Sequence, residues 1–206
     1  MRRVAMVLLS IAMVLVMNKA SAVDKDKGRF SVQAASSYPG HETHEKITIA
    51  AIPYNTKDLV ESAFGKVKPY EHGILPVLVV IQNDTGKALR MDLKAQFVAS
   101  DGEHVEAMPP DDVVRWQGIQ KRPGMPTPNP LPIPLPRGNK KGPLNTPEIE
   151  GRAWEVRLIP PGESAHGFFY FQAESVRGAQ IYLTGIKDAA SGQPYFYFEV
   201  PLDVKK

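Results

Sequence analysis

Two histidines three residues apart, each followed by a carboxylate, form the densest group of chemically active side chains in the sequence. They lie in His41-Glu42-Thr43-His44-Glu45. Neutral imidazole nitrogens and carboxylate oxygens are ligands for Zn²⁺ and Cu²⁺. The spacing differs from the His-Glu-x-x-His helix of zinc proteases, and a closed site needs two further ligands. His41 and His44 are therefore candidate metal ligands, and the alternative is that they lie in a solvated segment. No other feature implies a cofactor.

A serine and a histidine two residues apart, Ser164 and His166, would permit hydrolysis through an activated hydroxyl group. A nucleophile elbow requires Gly-x-Ser-x-Gly at a strand-to-helix turn. Here a histidine precedes the second glycine and a phenylalanine-rich run follows, which indicates a proline-glycine turn that opens a strand. The carboxylate pairs Asp111-Asp112 and Glu148/Glu150 are not placed in a cleft by any pattern. We therefore expect a protein that is not an enzyme, and a hydrolase with an unrecognised site is an alternative.

A proline-rich basic stretch interrupts the second half of the chain. Nine of the 25 residues from 123 to 147 are proline, and residues 113–147 hold six basic side chains and no acidic one. Alternate prolines remove backbone donors and favour polyproline II, which predicts a surface loop at about residues 117–151. A loop of this length is usually either functional or disordered. If it is functional, its partner is an envelope protein or an anionic envelope polymer. The candidate partner-binding residues are Arg122, Arg137, Lys140 and Lys141.

Aromatic side chains are concentrated in residues 168–171 and 195–198. On antiparallel strands, alternate side chains point into the core, and packing against a second layer is the expected use of these rings. The alternative is an exposed stripe that stacks on a sugar ring or a partner. That stripe would consist of Phe168 and Tyr170, or of Tyr195 and Tyr197.

The amino terminus has the three parts of a secretory signal peptide. Arg2 and Arg3 precede a 14-residue apolar run at 4–17, broken only by Ser10, and Ala20-Ser21-Ala22 provides small residues for cleavage. A bilayer-spanning helix needs about 20 apolar residues, so the run is short for a permanent anchor. We expect cleavage after Ala22, export to the periplasm or the medium, and no membrane span in the product.

The charge and cysteine content exclude several functional classes. The 206-residue chain has a formal net charge of +3, but residues 1–22 hold three basic residues and no acidic one, so the product has 22 of each. A chain without net charge gives no global electrostatic reason to bind nucleic acid. The chain has no cysteine. This excludes disulfides, thiolate nucleophiles and zinc–cysteine sites.

Short apolar segments separated by turn residues predict an all-β fold. The run at 73–82 is continuous, which predicts a strand buried on both faces, whereas 89–97 alternates and places Leu93 in the core and Lys94 in water. The remaining strand segments are 47–52, 103–107, 154–159, 168–171, 181–183 and 195–200. Eight such strands indicate an antiparallel β-sandwich.

The rest of the chain completes the predicted organisation. Residues 23–46 are polar and are predicted to be a tail or a loosely held lead-in. Thr56 and Gly65 can cap a short helix over 57–64, and Asp111-Asp112 can begin another. Residues 47–203 are then one β-sandwich domain with one or two short helices and the long proline-rich surface loop.

A buried run ends at Asn83, the following strands turn at Asp101-Gly102, and Pro160-Pro161-Gly162 introduces a phenylalanine-rich strand. These turn motifs resemble those of immunoglobulin-like β-sandwich modules in secreted and envelope proteins of bacteria. The resemblance covers about residues 46–203 apart from the proline-rich stretch. It implies an immunoglobulin-like fold and export, and it implies no activity and no site residue.

The sequence as a whole therefore predicts an exported, non-catalytic binding or scaffolding module of the cell envelope. One alternative is a small periplasmic metal-binding protein that uses His41 and His44. The other is the hydrolase with an unrecognised site.

Overall fold

Two antiparallel sheets packed face to face form the body of the protein. The computed structural model describes residues 30–117 and 142–204, and within these ranges nine strands are present. The first sheet has the order β1-β2-β3-β7, and its strands are β1 His41–His44, β2 Ile47–Pro53, β3 Ile74–Asn83 and β7 Ser164–Gln172. The predicted all-β antiparallel sandwich is confirmed.

The second sheet is built around the alternating strand of the sequence. Its order is β5-β4-β8-β9, and β6 pairs with β4 beside β5. Its strands are β4 Leu89–Val98, β5 His104–Glu106, β6 Leu158–Ile159, β8 Gln180–Asp188 and β9 Phe198–Pro201. Apolar side chains from both sheets meet in one core, in which Ile81, Phe97 and Leu183 are almost completely buried.

A layer of short helices covers the outer face of the first sheet. The α-helices are α1 Lys57–Phe64, α2 Pro110–Arg115 and α3 Pro147–Gly151, and 3₁₀ turns lie at Ala35–Ser37 and Pro69–His72. A second core fills this interface, which explains why β3 is apolar on both faces. The Tyr170 hydroxyl donates to the Ile149 carbonyl oxygen at 2.7 Å and fastens α3 to the sheet.

Several predicted boundaries are wrong in an informative way. The helix count exceeds the predicted one or two, because Thr146 and Pro147 begin α3 inside the stretch assigned to the proline-rich loop. Residues 154–157 are not a strand, and only Leu158–Ile159 pair with β4. Strand β9 begins at Phe198, three residues later than the aromatic pattern predicts. The predicted lead-in contains strand β1, which pairs with β2 from His41 opposite Ala50 to His44 opposite Ile47.

A β-bulge changes the position of Leu93. The register between β4 and β8 shifts between Met91 and Lys94, so one extra residue of β4 lies opposite β8. Leu93 is consequently only half-buried at the rim of the core, whereas Met91 is 5% exposed. Leu93 therefore packs against the core without being enclosed by it, as the predicted core position requires, and Lys94 is exposed as predicted.

We expect Leu93→Ala to lower the free energy of unfolding by about 1 kcal/mol, since only part of the side chain leaves water on folding. Met91→Ala should cost about 2–5 kcal/mol, because it leaves a cavity in the core. Chemical denaturation of both variants measures the difference. Equal losses would place Leu93 inside the core and contradict the bulge.

An ion pair between the buried Asp188 carboxylate and the exposed Lys87 ammonium group joins the end of β8 to the turn before β4. The Asp188 side chain is 6% exposed, and one of its oxygens lies 2.9 Å from Lys87 Nζ. Hydrogen bonds from the Ser191 amide, the Lys87 ammonium group and the Ala190 amide lower the pKa of Asp188 from 3.8 to about 2. Folding therefore favours the charged carboxylate.

This depressed pKa predicts a loss of stability in acid. The contribution of Asp188 is complete above the pKa of the unfolded chain, near 3.8, and is lost as the pH falls through about 2. Asp188→Asn should therefore be less stable than the natural protein at neutral pH, and the gap should shrink as the pH falls below about 4. Denaturation midpoints across this range test the prediction, and a constant gap would contradict it.

Candidate functional site

The exposed edges of the two sheets meet along one side of the sandwich. Strand β1 is an edge of the first sheet and β9 is an edge of the second, and the two strands contact each other. The Glu199 amide of β9 donates to Oε2 of Glu42 on β1 at 2.8 Å. The His44 ring also lies against Phe198, with 5.3 Å between ring centroids. These contacts fix one sheet edge against the other and create a groove between them.

The groove has a volume of about 510 Å³ and combines exposed aromatic rings with carboxylates. Phe196 is 72% exposed and Tyr197 is 52% exposed, which is unusual for rings of this size. We call this site the acidic–aromatic groove. Its lining residues are Glu42, His44, Glu45, Phe196, Tyr197 and Glu199.

The Phe196 and Tyr197 rings are exposed because the chain is not paired with β8 at these two residues. Pro194 forms an isolated bridge with Lys187, and regular pairing with β8 starts only at Phe198, which is buried. Between them Phe196 and Tyr197 lie outside the sheet. Tyr197 packs against Tyr182 of β8 with 5.2 Å between ring centroids, so the aromatic surface continues onto the outer face of the second sheet.

The charges of the groove are predominantly negative. Three of its six lining residues carry carboxylates, and neither lysine nor arginine is among the six. Glu42 also accepts from His44 Nε2 at 2.6 Å, which holds both side chains against the groove wall. A carboxylate beside an exposed tyrosine can bind a lysine or arginine side chain through an ion pair and a cation–π contact. The groove therefore has the chemistry of a site for a cationic, partly apolar segment.

The turn that carries Glu45 has an unfavourable backbone conformation. Glu45 and Lys46 connect β1 to β2 with φ angles of 48° and 64°, the left-handed region that Asn-Gly normally occupies in such hairpins. Side chains other than Gly, Asn and Asp adopt this region at a cost of about 1–2 kcal/mol each. Backbone strain of this kind is concentrated at functional sites. The turn places the Glu45 side chain in the wall of the groove.

The structure separates the two histidines of the metal-binding hypothesis. His41 and His44 are three residues apart on β1, so strand alternation directs them to opposite faces. His41 Nδ1 lies 2.6 Å from the Tyr38 carbonyl oxygen, whereas His44 contacts Glu42. Within residues 30–117 and 142–204, no three His, Asp or Glu side chains are grouped as metal ligands. The described geometry therefore gives no support to a shared site at His41 and His44.

Ser164 and His166 lie on β7, two residues apart and opposite Gln82 and Val80 of β3. They border a cavity of about 500 Å³ whose other lining residues, among them Phe30, include no carboxylate. Burial lowers the pKa of His166, and the Phe30 ring is 6.2 Å away. Since Gly162 lies in the turn that opens β7, the local structure is the predicted turn and strand. The strained strand-to-helix turn of a nucleophile elbow does not occur at this position.

The other predicted site residues have different outcomes. Arg122, Arg137, Lys140 and Lys141 lie outside the described residues, as does the signal peptide predicted at 1–22. Phe168 and Tyr170 are each 1% exposed, so the alternative in which they form an exposed stripe is wrong. Of the second predicted pair, Tyr197 is exposed and Tyr195 is half-buried. Phe196, Glu45 and Glu199 carry no local sequence signal of a binding residue.

A further cavity of about 440 Å³ lies beside the β-bulge, where Leu93, Trp154 and Phe169 are among the lining residues. Its walls are mainly apolar, and Trp154 stacks on Phe169 with 5.9 Å between ring centroids.

None of the helices in the described ranges has the length and apolar character that crossing a lipid bilayer requires.

A comparison with protein-family models finds no family that matches the chain, and a comparison with curated proteins finds no match either.

Proposed function

We propose that the protein is an exported, non-catalytic binding module of the cell envelope that holds a cationic, extended protein segment in the acidic–aromatic groove. The observation that carries this proposal is the exposure of Phe196 and Tyr197 beside three carboxylates. Isolated exposed apolar residues are normal, but neighbouring exposed rings in a charged groove are typical of a recognition surface.

The sign of the charge selects the kind of partner. Anionic envelope polymers would meet the carboxylates of Glu42, Glu45 and Glu199 and be repelled. A protein segment with lysine or arginine next to proline or aliphatic residues would be attracted, because its apolar parts can cover the rings. The groove therefore favours the envelope-protein partner over the polymer. The open edge between β1 and β9 suits an extended segment more than a globular partner.

Two features of the sequence support the envelope location and the kind of module. The arginines, apolar run and Ala20-Ser21-Ala22 at the amino terminus support export, and the intact mass of the exported protein should begin at Val23. The resemblance to immunoglobulin-like modules of secreted and envelope proteins supports the fold and the export.

Peptide binding to the purified residues 23–206 tests the proposed function. We expect a peptide of alternating lysine and proline to bind, and a glutamate–proline peptide not to bind, because only the first complements the groove. Phe196→Ser and Tyr197→Ser together should weaken binding about tenfold, equivalent to about 1.4 kcal/mol, because both cation–π partners are lost. Calorimetric titration measures the affinities.

The chain offers matched controls for this titration. Leu158 is another large apolar residue with high exposure, 53%, and it lies away from the groove on β6. Leu158→Ser should leave the affinity unchanged, and Glu155→Gln should do the same for a carboxylate outside the groove. Equal affinity of the groove variant and the natural protein would overturn the proposed function.

A further inference from the structure

We infer that the occupant of the acidic–aromatic groove is the proline-rich basic segment, residues 118–141, of a second copy of this chain. This inference rests on the proposed function and specifies its partner. It gives the protein a way to assemble with itself, which is what a scaffolding module requires. Three features of the chain support it: the division of charge along the chain, the position of the groove relative to both ends of the segment, and the composition of the segment.

Charge is divided unequally between the folded body and the segment. The described residues contain 20 Asp and Glu against 12 Lys and Arg, a net charge of −8. Residues 118–141 contain five basic residues and no acidic one, a net charge of +5. The body and the segment are therefore electrostatically complementary, although the exported chain as a whole is neutral. Complementary patches of this kind accelerate association and select the partner.

The two ends of the segment lie together at one end of the first sheet. Trp116 Nε1 donates to the His72 carbonyl oxygen at 2.9 Å, two residues before β3 begins at Ile74. At the other end of the segment, Gly142 packs against the backbone of Trp116, where an added Cβ would lie 2.9 Å from its carbonyl oxygen. The segment therefore leaves and re-enters the body near Ile74.

The groove lies at the opposite end of the same sheet. His44 pairs with Ile47, which in turn pairs with Asn83, the last residue of β3. The ten residues of β3 span about 30 Å at about 3.3 Å per residue. The Glu45 end of the groove is therefore about 30 Å from the point where the segment is attached.

This separation restricts contact between the basic residues and the Glu45 end of the groove in their own molecule. Lys121 and Arg122 are at most six residues from Trp116, and Arg137, Lys140 and Lys141 are at most five from Gly142. A fully extended chain advances at most about 3.6 Å per residue, so their backbone reaches about 20 Å from the attachment point. Only the uncharged middle of the segment can extend further. A second copy can bring the basic residues to the Glu45 end of the groove without this restriction.

The composition of the segment matches what the groove offers. Seven prolines in residues 118–141 favour polyproline II, which docks against exposed aromatic rings at a low cost in conformational entropy. Phe196 and Tyr197 provide these rings, and Glu45 and Glu199 lie beside them to pair with lysine and arginine. Because segment and groove are different surfaces, the contact is heterologous, and it can form either closed rings or head-to-tail chains.

A charge-swap experiment on residues 23–206 tests the inference. The segment variant carries Lys121→Glu, Arg122→Glu, Arg137→Glu, Lys140→Glu and Lys141→Glu, which changes the charge of the segment from +5 to −5. The groove variant carries Glu45→Lys and Glu199→Lys. These side chains either lie in the segment or are exposed on the surface, so we expect both variants to fold. Sedimentation velocity over a concentration series measures association. The natural protein should self-associate, with association weakening as salt rises, and each variant alone should be monomeric.

A mixture of the segment variant and the groove variant is the decisive test of the inference. In the mixture an acidic segment meets a basic groove, and a basic segment meets an acidic groove, so association should be restored. Glu155→Lys is the control for a charge change outside the groove, and it should associate like the natural protein. A natural protein that remains monomeric, or a mixture that does not associate, would overturn the inference.

The outcomes also separate this inference from the proposed function. If the lysine–proline peptide binds the groove but the protein is monomeric, the partner is a different cationic protein and only the inference fails. If neither binding nor self-association occurs, both fail. If the segment variant loses binding to an anionic envelope polymer but self-associates like the natural protein, the segment binds the polymer and not the groove. That result would overturn the inference.

Discussion

Asn83→Asp is expected to lower the free energy of unfolding by about 4 kcal/mol, although it replaces a single NH₂ group by oxygen. Asn83 is completely buried at the end of β3. Its Nδ2 donates to the carbonyl oxygens of Lys87, Ile159 and Pro160 at 2.7–3.0 Å. An aspartate would place a carboxylate oxygen against these three acceptors. A buried charge without a partner costs about 3–5 kcal/mol, and buried acceptors that lose their donor add to it.

The neighbouring residue provides the control. Gln82 is only half-buried and its Nε2 donates to Asp84 near solvent, so Gln82→Glu should change stability by less than about 1 kcal/mol. Urea denaturation of both variants at neutral pH measures the difference. A loss below about 1 kcal/mol for Asn83→Asp would mean that these three hydrogen bonds do not hold the turn between the sheets.

Gly185→Ala is expected to cost about 3 kcal/mol or more, because no side chain fits at the β-bulge. Gly185 of β8 has a φ angle of 93°, which disfavours any residue with a Cβ. An added Cβ would also overlap the Asp92 carbonyl oxygen of β4. Strands β4 and β8 would have to move apart to admit the methyl group. Overpacking of this kind costs about 1–3 kcal/mol in addition to the backbone strain.

Gly151 is the matched control for this substitution. It lies at the end of α3 in open space, with no atom near an added Cβ. Gly151→Ala should therefore leave thermal stability within about 0.5 kcal/mol or raise it slightly. Thermal unfolding of the two variants compares them directly, and equal shifts in the midpoint would contradict the close strand contact at Gly185.

The elements predicted correctly from the sequence are those whose signals are local. Helix α1 occupies Lys57–Phe64 with Thr56 and Gly65 at its ends, as the caps predict. The continuous apolar run forms β3 and is buried by a sheet on one side and helices on the other. Periodicity and capping depend on neighbouring residues alone, so they can be interpreted without the tertiary structure.

The elements predicted incorrectly are determined by tertiary contacts. Strand β1 is polar and mostly exposed, and it exists because β2 offers it a partner. Leu93 lies at the rim of the core because of a bulge against Gly185, and nothing in the alternation of residues 89–97 signals it. Residues 154–157 alternate like a strand, yet they do not pair with β4 as β6 does. One backbone hydrogen bond links them to β4, from the Met91 amide to the Arg157 carbonyl oxygen.

Two of the residues that line the groove, His44 and Tyr197, carried a signal in the sequence. The sequence singled out His44 as a metal ligand and Tyr197 as a possible exposed ring, but 152 positions separate them, and their proximity follows from the meeting of β1 and β9. The Glu199 amide bonded to Glu42 is such a long-range contact. A binding site assembled from two sheet edges has no local sequence signature.

The central claim is that the acidic–aromatic groove is the binding surface, and nuclear magnetic resonance mapping tests it most directly. Isotope-labelled residues 23–206 would be titrated with a synthetic peptide of residues 118–141, and amide shifts would be followed residue by residue. Saturable shifts should cluster at residues 42–45 and 196–199, and Phe196→Ser with Tyr197→Ser should abolish them. Shifts centred on the cavity at Leu93 or on Ser164 and His166, with the groove unaffected, would contradict it.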